Sequence, residues 1–476
     1  MPLKRAPSQG RCFYLVIPAF LPACLLLADA PPFGTPADGS GDSAALTCGP
    51  SGEVALSEYP RADGESYDSY FGFALAVSRG STSDTASPVV VGAPGWESDA
   101  GAVYLISSFH SRPPLTQARI SGERGDLLGD SVAVVGSGAE AMVSVAAPGI
   151  GTVYLFDGTV SGELSTSSAA GTLAFDAYGI VVGNAGDIDD DGTDDIAVAS
   201  PWTEAAQNGL VWLISGQARE LTGDEVEITA AHDGQQVRFV GGGDDLSGDG
   251  LDDVVIGDPG AGANSAGAVY VVHGPIRNSA SLDDADAKLT RENSAGSETA
   301  IAIPGDVDGD GQVELLIGNP GLDGESINAG GGAYLLRGPV NRSADLSDSA
   351  AILYGENSRK AGWSVAGGDM NGDGLADVAF GAPTSGATSY EFYGFSGPGS
   401  ARLWFGPLSG TYDATTADLV LRGAESDDAA GFSVAIGSND DGVTRLFLGA
   451  PGEPIDVAND GDLDRNVGSV FMVTCP

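Results

Sequence analysis

The sequence predicts an all-β fold: a seven-bladed β-propeller, in which four-stranded antiparallel blades stand around one axis and the N-terminal strand closes the ring in the last blade. Three observations predict it. First, a triplet of the type Gly-Ala-Pro recurs seven times, ending at Pro94, Pro148, Pro201, Pro259, Pro320, Pro383 and Pro451. Its spacing suits one four-stranded blade per copy. Second, each copy carries the same short apolar strands, such as Phe71 to Val77 or Gly431 to Ile436 before the triplet and Gly101 to Ile106, Gly151 to Phe156 or Gly267 to Val272 after it. Near-continuous runs of small apolar residues need cover on both faces, which neighbouring blades supply. Third, 72 of the 476 residues are glycine, and no long segment follows the 3.6-residue period of an amphipathic helix. An open solenoid fits less well, because neither end carries a recognisable polar cap.

Taken in order, residues 1–30 are expected to be an export signal. Lys4, Arg5 and Arg11 precede an apolar run from Phe13 to Leu27 that is short for a membrane span and interrupted by Pro18 and Pro22. Leu21-Pro22-Ala23-Cys24 resembles a lipobox, which would lipidate Cys24, while Ala28-Asp29-Ala30 resembles an ordinary cleavage site. Either one sends the chain out of the cytoplasm: to the cell surface or outer membrane as a lipoprotein, or to the periplasm or medium. Residues 31–50, rich at first in Pro, Gly, Asp and Ser, form a flexible tether. Residues 51–476 form the propeller.

Four of the copies contain an acidic loop between the first strand and the triplet strand. In the fifth copy the loop offers Asp306, Asp308, Asp310, Gln312 and Glu314, with Gly311 at the turn. The third copy has Asp187, Asp189, Asp191, Thr193 and Asp195; the fourth has Asp245, Ser247, Asp249, Leu251 and Asp253; the sixth has Asp369, Asn371, Asp373, Leu375 and Asp377. Oxygens at every second position, a glycine and a final carboxylate suit calcium, which takes six to eight oxygen ligands, one of them a backbone carbonyl such as that of Gln312. The spacing therefore predicts four calcium ions. The second copy has Val134 and Met142 at the first and last ligand positions, and the seventh has Gly437 and Arg445. Those loops, and that of the first copy, are expected to be empty.

The formal charge of −45 excludes nucleic-acid binding, which needs basic surface to neutralise phosphates. Four calcium ions would offset only a small part of it, so most of the acidity is solvated surface. Membrane contact is expected only through the N-terminal lipid.

On the seven triplets and four acidic loops, the chain resembles FG-GAP repeat proteins and the seven-bladed propeller at the head of integrin α subunits. The resemblance covers about residues 50 to 476. It implies that the calcium loops lie on one face of the disc and that the propeller is a non-catalytic binding or adhesion module for an extracellular protein or glycan. Cysteine positions support ring closure. Cys48 immediately precedes a candidate strand around Val54 to Ser57, and Cys475 ends the last strand, Gly468 to Thr474. If the N-terminal strand supplies the outer strand of the seventh blade, the two sulfurs become neighbours and a disulfide is expected, as export permits. Only about fifteen residues, Asp157 to Gly171, are read as joining the second and third blades, so no inserted adhesion domain is expected there.

Catalysis is not expected. His110, His232 and His273 show no metal-ligand spacing, and Gly362-Trp363-Ser364-Val365-Ala366 is matched by Gly431-Phe432-Ser433-Val434-Ala435 and Gly129-Asp130-Ser131-Val132-Ala133. A nucleophile is not needed in every blade, so this serine belongs to the repeat. Arg124-Gly125-Asp126 spells a tripeptide that many integrins recognise, and it is assigned no function. The chain is expected to be a monomeric propeller. A carbohydrate-binding or polysaccharide-processing propeller with its site at the central channel mouth is the second reading, with Trp202, Trp212, Trp363 and Trp404 as aromatic candidates. A structural envelope protein is the third.

Overall fold

The computed structural model describes residues 60–475 except 67, 79–87, 110–113, 138–140, 204–207, 224, 231–235, 262–266, 292–299, 324–329, 357–359, 384–396, 424–426, 439–442 and 454–465. Seven antiparallel sheets, each built outward from an innermost strand, form the blades of a propeller. The innermost strands are Ala74–Ala76, Val132–Val135, Val181–Gly186, Phe239–Gly242, Ala300–Gly305, Ser364–Gly368 and Ser433–Ser438. Each contacts the innermost strand before and after it, and the last contacts the first, so the circle closes.

Packing explains why the strands are short and apolar. The triplet strands, for example Val89–Ala93, Asp195–Ser200, Glu314–Asn319 and Asp377–Ala382, are buried along their whole length. Each is sandwiched between two blades, and the apolar clusters accordingly span blade pairs: Leu315, Ile317 and Tyr334 of the fifth blade pack with Val255, Val269 and Leu289 of the fourth. Burying side chains of this size contributes about 1.5–3 kcal/mol each. Glycine is required where backbones meet. A Cβ on Gly381 would stand 1.9 Å from the carbonyl oxygen of Gly431 in the next blade. The repeat serines work at the same seam: Ser364 Oγ donates to Gly431 O at 3.0 Å, and Ser433 Oγ donates to Gly72 O at 2.7 Å. They are inter-blade staples.

The seventh blade is completed from the other end of the chain. Arg61–Asp63 pairs antiparallel with Ser469–Thr474, placing Arg61 opposite Phe471. This is the ring closure the sequence predicts, although the closing strand is Arg61–Asp63. The candidate strand at Val54 to Ser57 lies outside the described residues, as do the export signal, the tether, Cys24 and Cys48. Cys475 is buried at the end of the last strand.

Among the described residues, four blades carry a fifth, parallel strand that four-stranded repeats do not foretell. Gly162–Ser165, Ala280–Ser281, Ala344–Asp345 and Gly410–Tyr412 each leave their own blade between its third and fourth strands and pair with the outer strand of the preceding blade. They cover outer edges that would otherwise offer unpaired backbone groups. The first of them corrects the reading of residues 157–171. That segment lies within the second blade, connecting its third strand to its fourth, Gly171–Ala174.

Candidate metal centres

All four acidic loops lie between an innermost strand and its triplet strand, at the same end of the blades, because they occupy the same point in the repeat. The first ligand position is held by the loop backbone. Asp306 accepts the N–H groups of Gly309 at 2.6 Å, Asp310 at 3.2 Å and Gly311 at 2.8 Å. Asp245 accepts those of Gly248, Asp249 and Gly250, Asp369 those of Gly372 and Gly374, and Asp187 those of Asp191 and Gly192. The turn glycine has φ near +90° in every loop, from +87° at Gly192 and Gly311 to +91° at Gly250, a conformation that side chains resist.

The fifth position folds back on the seventh. Asp191, Asp249, Asp310 and Asp373 accept the N–H of Thr193, Leu251, Gln312 and Leu375 at 2.9 to 3.0 Å. The last carboxylate, the first residue of the triplet strand or the residue just before it, is buried in all four copies. It is gripped from two sides. Glu314 accepts Val307 N at 2.5 Å and Gly338 N at 3.4 Å; Asp377 accepts Met370 N and Gly406 N; Asp195 accepts Ile188 N and Gly216 N; Asp253 accepts Ser247 N and Gly274 N. The glycine donors after the third strand were missed in the sequence. The recurrence of Gly274-Pro275, Gly338-Pro339 and Gly406-Pro407 at that point was the available signal.

Electrostatics then call for a cation. Burial pushes the carboxyl of Asp195 up to about 7 and that of Asp377 up to about 6, and raises those of Asp253 and Glu314. Burial also works against Asp245, but the N–H groups of Gly250, Gly248 and Asp249 and the Ser247 hydroxyl hold it below the usual carboxylate range. Carboxylate oxygens of Asp187, Asp189 and Asp195 lie within 4.8 Å of one another, as do those of Asp306, Asp308 and Glu314. Asp189 Oδ1 and Asp308 Oδ1 are buried without a hydrogen-bond partner, the kind of orphan a cation satisfies. Hard oxygen donors of this kind suit calcium or magnesium rather than a thiophilic metal. These two clusters could hold metal ions. The loops at Asp245 and Asp369 have Ser247 and Asn371 at the third position, so they present fewer carboxylates on the same backbone frame.

The remaining loops differ as their sequences require. Arg445 pairs with Gly437 in the register that pairs Glu314 with Gly305 and Asp377 with Gly368. Arg445 is buried, donating to Thr474 Oγ1 at 3.2 Å and Val443 O at 3.1 Å, so a guanidinium fills the place of the last carboxylate. Val134 and Met142 are buried apolar residues. Asn439 and Asp441 lie outside the described residues, as do His110 and His232. His273 is structural: its Nε2 stands 3.0 Å from Val340 O. Asp126 is 5% exposed and accepts Glu123 N at 2.7 Å, so the Arg124-Gly125-Asp126 carboxylate is not on display. Trp212 and Trp404 are core residues, whereas Trp202 is 39% exposed. A cavity of about 400 Å³ adjoins the third-blade loop, lined in part by Asp189, Asp195, Gln217 and Glu225.

A seven-bladed propeller with acidic hairpin loops at one end of consecutive blades is the class that fold and site define. The family model described as FG-GAP repeat matches residues 361–400, the first two strands and acidic loop of the sixth blade. Among curated proteins, integrin alpha-IIb of Homo sapiens is 29% identical over 243 residues, covering 46% of this chain and 22% of that protein. Integrin alpha-5 of Xenopus laevis is 28% identical over 215 residues, 40% of this chain and 20% of that protein. Phosphatidylinositol-glycan-specific phospholipase D of Homo sapiens is 27% identical over 225 residues, 44% of this chain and 25% of that protein. The chain thus carries FG-GAP repeat sequence and is distantly similar to integrin alpha and to this phospholipase, spanning about a fifth to a quarter of their length.

Proposed function

We propose that the chain is an exported, calcium-stabilised propeller that acts as a non-catalytic binding module of the cell-surface or adhesion type. The observation that carries this reading is the fourfold repetition of one acidic loop, with the same backbone grip on its first and last carboxylates. Calcium in each loop holds like charges together and fixes the hairpin between the two inner strands of the blade. Saturated loops of this kind serve structure rather than turnover, since a catalytic ion needs an open position beside an acid or base. The serines of the elbow-like segments are committed to inter-blade bonds, which argues against the phospholipase activity named for one relative. Partners are extracellular proteins or glycans met by loops at the blade ends, because the strands are committed to the core. Residues 1–30 supply export, with Cys24 as the lipid anchor, and a Cys48–Cys475 disulfide locks the ring. The testing experiment is metal stoichiometry and thermal unfolding of the mature protein with calcium and with chelator. About four ions per chain with a large loss of stability on chelation is expected; no bound calcium and no shift would refute the reading.

A further inference from the structure

The acidic loops occupy one end of the central channel, and the other end has a different chemistry. The residue just before the one that faces the first triplet residue leads into each innermost strand, one or two positions ahead of it, so it stands at the channel mouth opposite those loops. In blades one to four, six and seven it is Phe73, Asp130, Ile180, Arg238, Trp363 and Phe432; in the fifth it lies outside the described residues. Three neighbouring blades therefore present aromatic rings. Phe73 and Phe432 have ring centroids 4.6 Å apart, and Phe432 and Trp363 5.7 Å apart, so the rings form one continuous row. Phe432 is nearly buried beneath its neighbours, while Phe73 and Trp363 are half-buried and reach solvent.

The polar groups of the mouth select the ligand. Asp130 is half-buried in the blade next to the row, and burial pushes its carboxyl up to about 7; its oxygens accept hydrogen bonds from hydroxyl groups. Arg238, held by Gln236 Oε1 at 2.9 Å, stands two blades further round. Among these six described positions one acid and one base stand with the rings, so the positions carry polar partners of both kinds. A purely apolar ligand would strip water from both without replacing it. An uncharged polyol with apolar ring faces satisfies the rings and the polar groups together.

We propose that this channel mouth is a saccharide-binding site, in which sugar rings stack on Phe73 and Trp363, the members of the row that reach solvent, and ring hydroxyls hydrogen-bond to Asp130. The inference rests on the binding-module reading above and names the ligand class. The test is an array of neutral and charged oligosaccharides probed with calcium-loaded protein, followed by calorimetry with the strongest neutral glycan and metal analysis of the same sample. Trp363→Ala and Asp130→Ala should each weaken binding about tenfold, the order expected for losing one stacking or polar anchor, while Trp202→Ala leaves it unchanged. If Trp363→Ala does not fold, Phe73→Leu reads the same aromatic row. No neutral glycan bound, binding that survives both mouth substitutions, or selective binding of an arginine-rich peptide would each overturn the proposal. In any of these cases a stoichiometry near four leaves the calcium reading standing. Glycan binding at the mouth without bound calcium would uphold the site and refute the calcium reading.

Discussion

Replacing Asp308 with asparagine should change the sign of its effect on stability when calcium is removed. Asp308 shares the fifth-blade cluster with Asp306 and Glu314, their oxygens within 4.8 Å. At an effective dielectric of 20, each pair at that separation repels by about 3.5 kcal/mol when no ion intervenes. Asparagine removes two of the three repulsions, an upper limit of about 7 kcal/mol that partial exposure of Asp306 reduces. The opposing loss is the ion pair of Asp308 Oδ2 with Arg337 Nε at 2.5 Å; Arg337 is 55% exposed, so that contact contributes at most about 1 kcal/mol. In chelator at pH 8, with the repulsions cut back by solvent screening, the variant should therefore be more stable than the parent by about 2 kcal/mol. In calcium it should be less stable, since one ion at a hundredfold excess over its Kd contributes about 2.7 kcal/mol. The assay is denaturant unfolding of both proteins with and without calcium, with bound metal counted. Equal destabilisation under both conditions, or an unchanged ion count, would refute the electrostatic account.

Other expectations follow from single sites. The Cys48–Cys475 pair should appear in non-reducing peptide mapping, and Cys475→Ser should lower stability by about 3–5 kcal/mol, the range for closing a long loop; two free thiols would end that reading. Glu453 is buried, and burial pushes its carboxyl up to about 8 against the pull of Arg61, whose Nη1 lies 3.0 Å away. Because the folded value exceeds the unfolded one, the folded state holds the proton longer, and this group's stabilisation fades as pH rises from about 4.5 to 8. With calcium saturating, Glu453→Gln should flatten the pH profile of the unfolding midpoint over that window, and an unchanged slope would count against it. Trp404 is 1% exposed and donates from Nε1 to Thr416 Oγ1 at 3.2 Å. Trp404→Ala should cost about 3–5 kcal/mol in chemical denaturation, and a cost below 1 would show that the sixth blade can collapse around the gap.

Much of the ring was legible because its signals are local. A Gly-Ala-Pro strand buried on both faces needs an apolar run, and an acidic hairpin needs alternating oxygens and a turn glycine; Gly311 and Glu314 announce themselves within nine residues. What was not legible depends on the neighbouring blade. Gly162–Ser165 and Ala280–Ser281 form strands only because an outer edge waits for them, and two to four residues carry no periodicity of their own. The part of the closing strand that the structure describes, Arg61–Asp63, carries no apolar run of its own and is selected by its pairing with Phe471 and by Glu453, a residue distant in sequence. Of the aromatic row at the mouth, only Trp363 stood among the sequence candidates; its partners were hidden. Phe73, Phe432 and Trp363 are far apart in the chain and meet only when the circle closes.

The parallel fifth strands divide the ring unequally. They lash the first blade to the second and bind the third through the sixth into one arc, whereas among the described residues no such strap crosses from the second blade to the third, from the sixth to the seventh or from the seventh to the first. The third to sixth blades are also the four that carry the acidic loops, so the arc tied edge to edge by shared backbone hydrogen bonds is the arc that would hold the ions. A shift of one loaded blade is passed to its neighbour at the outer rim through the backbone as well as through packed side chains.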